Sequence, residues 1–252
     1  MVIGRVNFIF SLLAPIILSL QVFGQSRGEP DDARELWSKI IAQAEQDSAY
    51  VGENYTHEEL LVTEHLSNGV IKKREEKKYL VEMREDLPYR KLIYEDGLSV
   101  SESDFERKEE RVAIKRIFFE RYNFYLSRQD VLRGEGCLVL SFSAKADWPE
   151  EKKEDRVFNN LAGEIWVRKK DLKFMKFKIW LAGKVDFAWP GFMGGKVKKL
   201  SAEGSSIFID GRFALGEIQL EYEYSIRLIF SSHKHSRTAV YYQNYKRREG
   251  GT

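Results

Sequence analysis

Residues 217–230 read Glu-Ile-Gln-Leu-Glu-Tyr-Glu-Tyr-Ser-Ile-Arg-Leu-Ile-Phe, and they give the strongest strand pattern in the chain. Apolar side chains occupy the even positions from 218 to 230, and polar side chains occupy the odd positions from 217 to 227. Successive side chains of an extended strand point to opposite faces, so one face of this strand is apolar and the other is polar. Such a strand is typical of an antiparallel sheet that packs on one face and meets water on the other.

Turn signals separate further strand patterns on both sides of this stretch. Asn68-Gly69 and Asp210-Gly211 each stand between two such patterns, and Asn-Gly and Asp-Gly pairs readily take the positive φ angles of tight hairpins. A third pair, Asp96-Gly97, ends another pattern. We therefore predict strands at 55–66, 70–83, 89–95, 137–142, 175–181, 206–209, 212–215, 218–230 and 238–245.

Helical patterns are few. Beginning at Pro30, apolar residues recur with helical spacing at positions 33, 36, 37, 40, 41 and 44, which predicts an amphipathic helix packed on another element. Two further helices are predicted, one over 101–116 and one from Pro149 to a closing Gly163. Strands and helices do not alternate, which disfavours a doubly wound parallel sheet. The predicted fold is mainly β (α+β), an unclosed curved antiparallel sheet, or half-barrel, covered by a few helices.

Composition excludes several classes of protein. Hydrophobic residues make up 43% of the 252 residues and charged residues 32%, so a packed core is available. The net charge of +2 gives no strongly basic surface, which argues against binding nucleic acid. The chain has a single cysteine, Cys137, so it forms no internal disulfide and no zinc site built from cysteines. We expect Cys137 to be a small buried apolar residue.

Residues 1–24 have the layout of a secretory signal peptide. Arg5 precedes an apolar run at 8–20, and the small residues Val22 and Gly24 predict cleavage before Gln25. The run is short for a membrane anchor, although an uncleaved anchor or a buried helix is the alternative. We therefore expect an exported, periplasmic protein with one domain over 25–252 and no transmembrane segment in the mature chain.

The sequence contains no recognisable catalytic or metal-binding motif. His57 and His65 are eight residues apart, and Lys234 separates His233 from His235. No Gly-x-Ser-x-Gly motif occurs either. We therefore predict a protein that is not an enzyme and that uses no cofactor and no metal.

A half-barrel must either fill its concave face with its own side chains or leave space for a guest molecule. Alternation alone does not separate a closed core from a binding cavity, so both interpretations stay open. The predicted lining residues are Phe177, Ile179, Ile207, Ile218, Leu220, Tyr222, Tyr224 and Ile226. A second candidate is the predicted loop at 189–195, with Trp189, Phe192 and Met193. It is either a flexible lip that contacts a bilayer or partner, or a loop packed on the sheet.

Several segments resemble the LolA/LolB-like superfamily of periplasmic lipoprotein-carrier proteins. They are Tyr89-Arg90-Lys91-Leu92 to Asp96-Gly97-Leu98-Ser99, residues 161–167 with Asp171-Leu172, and the closing Tyr242-Gln243-Asn244-Tyr245. The resemblance implies a concave face that holds acyl chains and a role as a non-catalytic carrier for a lipid or a lipidated protein. The alternative is a protein-interaction or envelope-stress sensing module with an envelope protein as partner. The carriers tether a helical lid with one arginine, and no arginine here matches it.

Overall fold

A computed structural model describes residues 32–84, 87–101, 103–107, 121–151, 155–189, 193–227 and 231–249. The predicted signal peptide, residues 1–24, lies outside these ranges. Among the described residues, no helix combines the length and the apolar character that crossing a membrane requires.

The described chain is built mainly of strands. Helix α1 spans Asp32–Asn54 and the short helix α2 spans Asp155–Phe158. The strands are β1 (Tyr55–Ser67), β2 (Val70–Arg84), β3 (Leu87–Glu95), β4 (Leu98–Ser99), β5 (Glu106–Arg107), β6 (Tyr122–Leu132), β7 (Glu135–Ala144), β8 (Leu161–Arg168), β9 (Phe174–Leu181), β10 (Val185–Trp189), β11 (Met193–Ile209), β12 (Arg212–Arg227) and β13 (Ser231–Arg247).

All of these strands join one antiparallel sheet. Its order is β4-β3-β2-β1-β13-β12-β11-β9-β8-β7-β6, with β10 paired to β11 and β5 paired to β3. Within the described residues the two ends of the sheet do not pair with each other, so the sheet is curved but not closed into a barrel. This confirms the predicted fold class. We call the face that α1 covers the concave face and the opposite one the convex face.

Tight turns connect the hairpins where the sequence predicts them. Asn68 and Gly69 both have positive φ angles, 51° and 77°, and so do Asp210 and Gly211, 49° and 71°. Two consecutive residues with positive φ are the signature of the turn whose twist matches paired strands. Arg133 and Gly134 form a further turn of this kind, with φ angles of 53° and 77°.

The longest hairpin, β11–β12, differs from the prediction of separate strands at 206–209, 212–215 and 218–230. Strand β12 is continuous from Arg212, because Gly216 is an extra residue that shifts the register. Leu215 pairs with Ser206 and Glu217 pairs with Ser205, which leaves Gly216 unpaired between them. Such a bulge interrupts the alternation of side chains without ending the strand. The sequence pattern therefore suggests two strands where the structure has one.

The helix predictions need three corrections. Helix α1 continues ten residues beyond position 44, to Asn54. The helix predicted from Pro149 to Gly163 shrinks to α2, and Gly163 lies within β8. A Cβ on Gly163 would collide with the ring of Phe142, so this glycine admits an aromatic side chain and does not end a helix. Of the helix predicted at 101–116, Glu106–Arg107 form β5, while 102 and 108–116 lie outside the described residues.

Apolar side chains are buried on both faces of the sheet. The larger cluster lies between the concave face and α1 and extends from Phe124 on β6 to Val240 on β13. A small cluster on the convex face contains Cys137, Val139, Trp166 and Met175. Cys137 is fully buried, which raises the pKa of its thiol and makes it a packing residue, as its sequence context indicates.

A charged ladder on the convex face carries a pH prediction. Burial alone would raise the pKa of Glu221, but hydrogen bonds from Lys199 (2.7 Å) and His235 (2.8 Å), with the nearby charges, lower it to about 2. A carboxyl group whose pKa is depressed by folding stabilises the protein above its unfolded pKa, near 4.5, and loses this contribution as the pH falls towards 2.

We expect Glu221→Gln to remove a part of this acid dependence worth on the order of 2 kcal/mol, after allowance for solvent screening. Urea unfolding at several pH values between 2.5 and 6 measures it. Glu217→Gln, on the same face of the same strand, is the control. Equal slopes for Glu221→Gln and the wild-type protein would contradict the prediction.

Candidate functional site

The structure brings most of the predicted lining residues together on the concave face. Phe177 on β9 and Ile218 on β12 both lie opposite Gly204, and Ile179 and Leu220 both lie opposite Ala202. Together with Tyr222, these four residues belong to one buried cluster. The alternation of residues 218–222 therefore places Ile218, Leu220 and Tyr222 on one face of the sheet.

Three other predicted lining residues have different surroundings. Tyr224 is half-buried at the border of the cluster and stacks on Tyr222, with ring centroids 6.0 Å apart, and burial raises the pKa of its hydroxyl. Ile207 does not join them, because it packs with Val51, Tyr55 and Ala214 near the end of α1. Ile226 lies on β12 opposite Gly195 and Ser232.

Helix α1 covers the concave face with its apolar stripe. Trp37, Ile40, Ile41 and Ala44 are buried in the same cluster as the lining residues. The five clustered lining residues retain 3–9% of their accessible surface. Side chains that border a water-sized void would keep more exposed surface, so the helix occupies the hollow in this conformation. At the other end of the cover, Trp37 stacks on Phe124 of β6 with ring centroids 5.2 Å apart.

Asp47 fastens the helix to the sheet through a fully buried carboxylate. Its Oδ2 accepts a hydrogen bond from the backbone N–H of Phe213 (2.9 Å) at the start of β12. Its Oδ1 accepts from Arg212 (3.2 Å) and from Gln43 (3.0 Å), and the ammonium of Lys173 lies 3.7 Å away. A buried carboxylate is tolerated only when its oxygens are satisfied in this way. Asp47 thus anchors α1, the helix that covers the concave face, to the sheet.

Further contacts hold the same end of α1. The guanidinium of Arg212 lies 5.1 Å from the centre of the Tyr50 ring. The hydroxyl of Tyr55, just after the helix, donates a hydrogen bond to Asp210 in the β11–β12 turn. Asn54 closes the helix by donating to the carbonyl of Tyr50 (2.9 Å). The C-terminal half of α1 is therefore tied to one hairpin of the sheet.

The concave face becomes polar towards β1 and β2. The hydroxyls of Thr63 and Thr238 lie 3.5 Å apart, and the register places Thr238 beside Leu220. In the next row, His65 Nδ1 lies 3.1 Å from the Ser236 hydroxyl, and His65 Nε2 lies 3.5 Å from Glu75. An apolar surface thus borders a strip of hydroxyl, imidazole and carboxylate groups.

The Ser236–His65–Glu75 file has the residue types of a hydrolase, but its geometry differs. Ser236 lies within β13 and is 1% exposed, so a substrate cannot reach its hydroxyl in this conformation. His57 stacks on Tyr245, with ring centroids 5.0 Å apart, and makes a tilted contact with Tyr242. Among the described residues, no three histidine, cysteine, aspartate or glutamate side chains are placed to hold a metal ion.

The segment predicted as an apolar loop at 189–195 is largely a hairpin. Trp189 pairs with Met193, and Gly194 and Gly195 continue the pairing of β10 with β11. Phe192 lies outside the described residues. Trp189 ends β10 and residues 193–195 begin β11, so the loop prediction was wrong at these four positions, while 190–192 lie outside the described residues.

Comparisons with known proteins give matches among solved structures only. No family model and no curated protein matches the sequence. A DUF1329 family protein from Desulfovibrio piger matches in structure with 14% identity and a TM-score of 0.40, covering 90% of this chain and 96% of that one. A LolA superfamily protein from Nitrosomonas europaea matches with 12% identity and a TM-score of 0.35, covering 84% and 94%.

A third match is a domain assigned to an outer membrane lipoprotein-sorting protein of Vibrio parahaemolyticus. It has 8% identity and a TM-score of 0.45, and the alignment covers 89% of this chain and 95% of that one. At these identities the likeness concerns the fold alone.

Proposed function

We propose that this protein is an exported, non-catalytic binding protein that takes up an acyl chain, of a lipid or a lipidated protein, between α1 and the concave face. The observation that carries the proposal is a continuous apolar surface across the sheet, most of it covered by α1. The helix is fastened by a polar anchor towards its C-terminal end, while its N-terminal half contributes Trp37, Ile40 and Ile41 to the apolar cluster. The predicted signal peptide supports a periplasmic location.

The free energy gained by burying an acyl chain is comparable to the free energy lost by lifting the N-terminal half of α1 off the sheet. Burying an acyl chain is favourable by roughly 0.8 kcal/mol per methylene, or ~10 kcal/mol for a chain of about sixteen carbons. Exposing the three large apolar side chains of the N-terminal half costs roughly 1.5–3 kcal/mol each. An acyl chain therefore replaces the apolar contacts that the N-terminal half of α1 loses when it moves away from the sheet. The anchor at Asp47 keeps the C-terminal half of the helix attached during this exchange.

The half-buried Tyr224 lies at the edge of the cover, beside the polar strip. It is the lining residue that a guest molecule reaches first. Its partner Tyr222 is already buried under the helix. We therefore propose Tyr224 as the entrance of the site.

Native mass spectrometry of the exported protein, delipidated by unfolding and refolding, with added palmitate tests the proposal. We expect a one-to-one complex, and we expect Tyr224→Ala to weaken it about tenfold, which corresponds to ~1.4 kcal/mol. Tyr241→Ala is the matched control, because Tyr241 is a half-buried tyrosine opposite Glu217 on the convex face. Absence of any complex, or equal weakening by the two changes, would count against acyl binding.

A second candidate function is a protein-interaction or envelope-sensing module that binds no lipid. The near-complete burial of the lining residues under α1 favours it, because a filled hollow needs no guest. In that case the protein would bind an envelope protein through its surface. Crosslinking that captures one protein while palmitate fails to bind would select this function.

A further inference from the structure

Strand β6 forms an open edge of the sheet. It pairs with β7 on one side, and no other strand of the described residues pairs with it on the other. At the opposite end of the sheet, β3 is covered by β4 and β5. An unpaired edge presents a row of free N–H and C=O groups and is a template for pairing with another chain.

The β6 edge has little of the usual protection beyond the bulge between Leu126 and Arg128. Residues 125–131 are all exposed, and three of them are large and apolar: Tyr125 is 51% exposed, Leu126 51% and Val131 70%. Natural edges are blunted by lysine, proline or inward-pointing charges, and β6 contains neither lysine nor proline. Such an exposed apolar edge marks an interaction surface.

The two charged residues of the edge turn back onto their own sheet. Arg128 forms a two-pronged ion pair with Glu164 on β8, one arm of which measures 3.1 Å. Asp130 accepts a hydrogen bond from the indole N–H of Trp166 (2.9 Å). Both side chains therefore lie on the convex face, where they would neighbour the side chains of an incoming strand without crossing the backbone of the edge.

We propose that β6 pairs antiparallel with β6 of a second copy of this chain, joining two sheets into one across a two-fold axis at Gln129. Antiparallel pairing of a strand with itself is self-complementary, as a symmetric dimer requires. With the axis at Gln129, Arg128 of each copy lies opposite Asp130 of the other. Moving the axis to residue 128 or 130 places like charges opposite each other, which is unfavourable. The spacing of Arg128 and Asp130 therefore favours the axis at Gln129 over axes at the two neighbouring residues.

The bulge at Ser127 sets the length of this contact. The register against β7 shifts between Leu126 and Arg128, so regular pairing extends over about five residues. A contact of this size lies below the area of a stable protein interface, so the dimer is weak and forms at high concentration. Burial of Val131 and the neighbouring apolar side chains adds to it.

Cysteine crosslinking of the full-length exported protein tests the proposal at its axis. We expect Gln129→Cys at about 100 µM to form a disulfide-linked dimer under mild oxidation, because a residue on the axis lies opposite itself. The extent should exceed that of Gln219→Cys, an exposed glutamine on the convex face of β12, at least about tenfold. The native Cys137 is fully buried and does not interfere.

A second pair of variants keeps the test independent of oxidation. Val131→Lys, which places a charge on the edge, should abolish the concentration-dependent dimer in sedimentation velocity. Val70→Lys, at a similarly exposed valine in the first hairpin, should leave it unchanged. A wild-type protein that stays monomeric, equal crosslinking of the two cysteine variants, a dimer that survives Val131→Lys, or occupation of β6 by another protein's peptide instead would each overturn the proposal.

Discussion

Asp47→Ala should lower the free energy of unfolding by about 3 kcal/mol. The change removes the acceptor of the Phe213 backbone N–H, which is buried, and leaves it without a partner. It also takes the counter-charge from Lys173, whose side chain is mostly buried. Asp47→Asn should cost less, about 1–2 kcal/mol, because the amide oxygen still accepts from Phe213.

Urea unfolding measures these differences, and hydrogen exchange of the α1 amides shows whether the helix loosens before the sheet does. Glu35→Ala is the control on the same helix, since Glu35 is exposed and pairs only within the helix, with Lys39. We expect that control to change stability by less than about 0.5 kcal/mol. If acyl chains enter under α1, Asp47→Ala should also speed palmitate uptake. Wild-type stability of Asp47→Ala would show that the helix is held by its apolar contacts and not by this anchor.

The anchor shows what the sequence does and does not disclose. The apolar stripe of α1 is visible at positions 33 to 44, and Asp47 continues it at the next helical spacing, followed by the buried Val51. An acidic residue on an apolar stripe is a signal of a buried polar contact that the sequence offers. Its partners, Arg212 and Phe213, are 165 and 166 residues away in the chain, and no local pattern connects them.

Strands and turns are easier to predict from the sequence than long-range contacts are. The alternation at 218–230 and the Asn-Gly and Asp-Gly turns depend on local geometry, so the sequence predicts them directly. The hairpin at 185–209 was missed because Gly194 and Gly195 suggest a loop, whereas pairing with β10 holds them in a strand. Whether the concave face is filled depends on where α1 docks, which is a tertiary property that periodicity does not encode.

Gly163 and Gly204 carry the second large prediction, because two aromatic rings of the concave cluster lie directly on them. A Cβ on Gly163 would overlap the Phe142 ring and come within 2.6 Å of the Lys178 carbonyl oxygen. A Cβ on Gly204 would overlap the Phe177 ring and lie 3.0 Å from the Glu217 carbonyl oxygen. We expect each change to alanine to cost about 2–4 kcal/mol, because overpacking moves a ring out of a filled core.

Gly136→Ala is the matched control. Gly136 also lies in a strand, β7, but a Cβ there meets no atom within 4 Å. We expect it to leave stability unchanged or to raise it by about 0.5 kcal/mol through the lower entropy of the unfolded chain. Thermal or urea unfolding of the three variants gives the comparison. Similar losses of stability in all three would mean that these glycines are needed for their backbone conformation and not to make room for the aromatic rings.

Double variants separate the ring from the backbone as the source of the clash. Phe177→Leu in the background of Gly204→Ala removes the ring atoms that overlap the new Cβ, and the remaining contact with the Glu217 oxygen, at 3.0 Å, requires only a small shift. Phe142→Leu in the background of Gly163→Ala leaves the Lys178 oxygen at 2.6 Å, which is part of the backbone of the paired strand. A double-mutant cycle should therefore show a favourable coupling of about 1–2 kcal/mol at 204 and a smaller one at 163. Equal coupling at the two sites would show that the strain arises from the rings alone. The backbone of β8 could then shift enough to relieve the contact with the Lys178 oxygen.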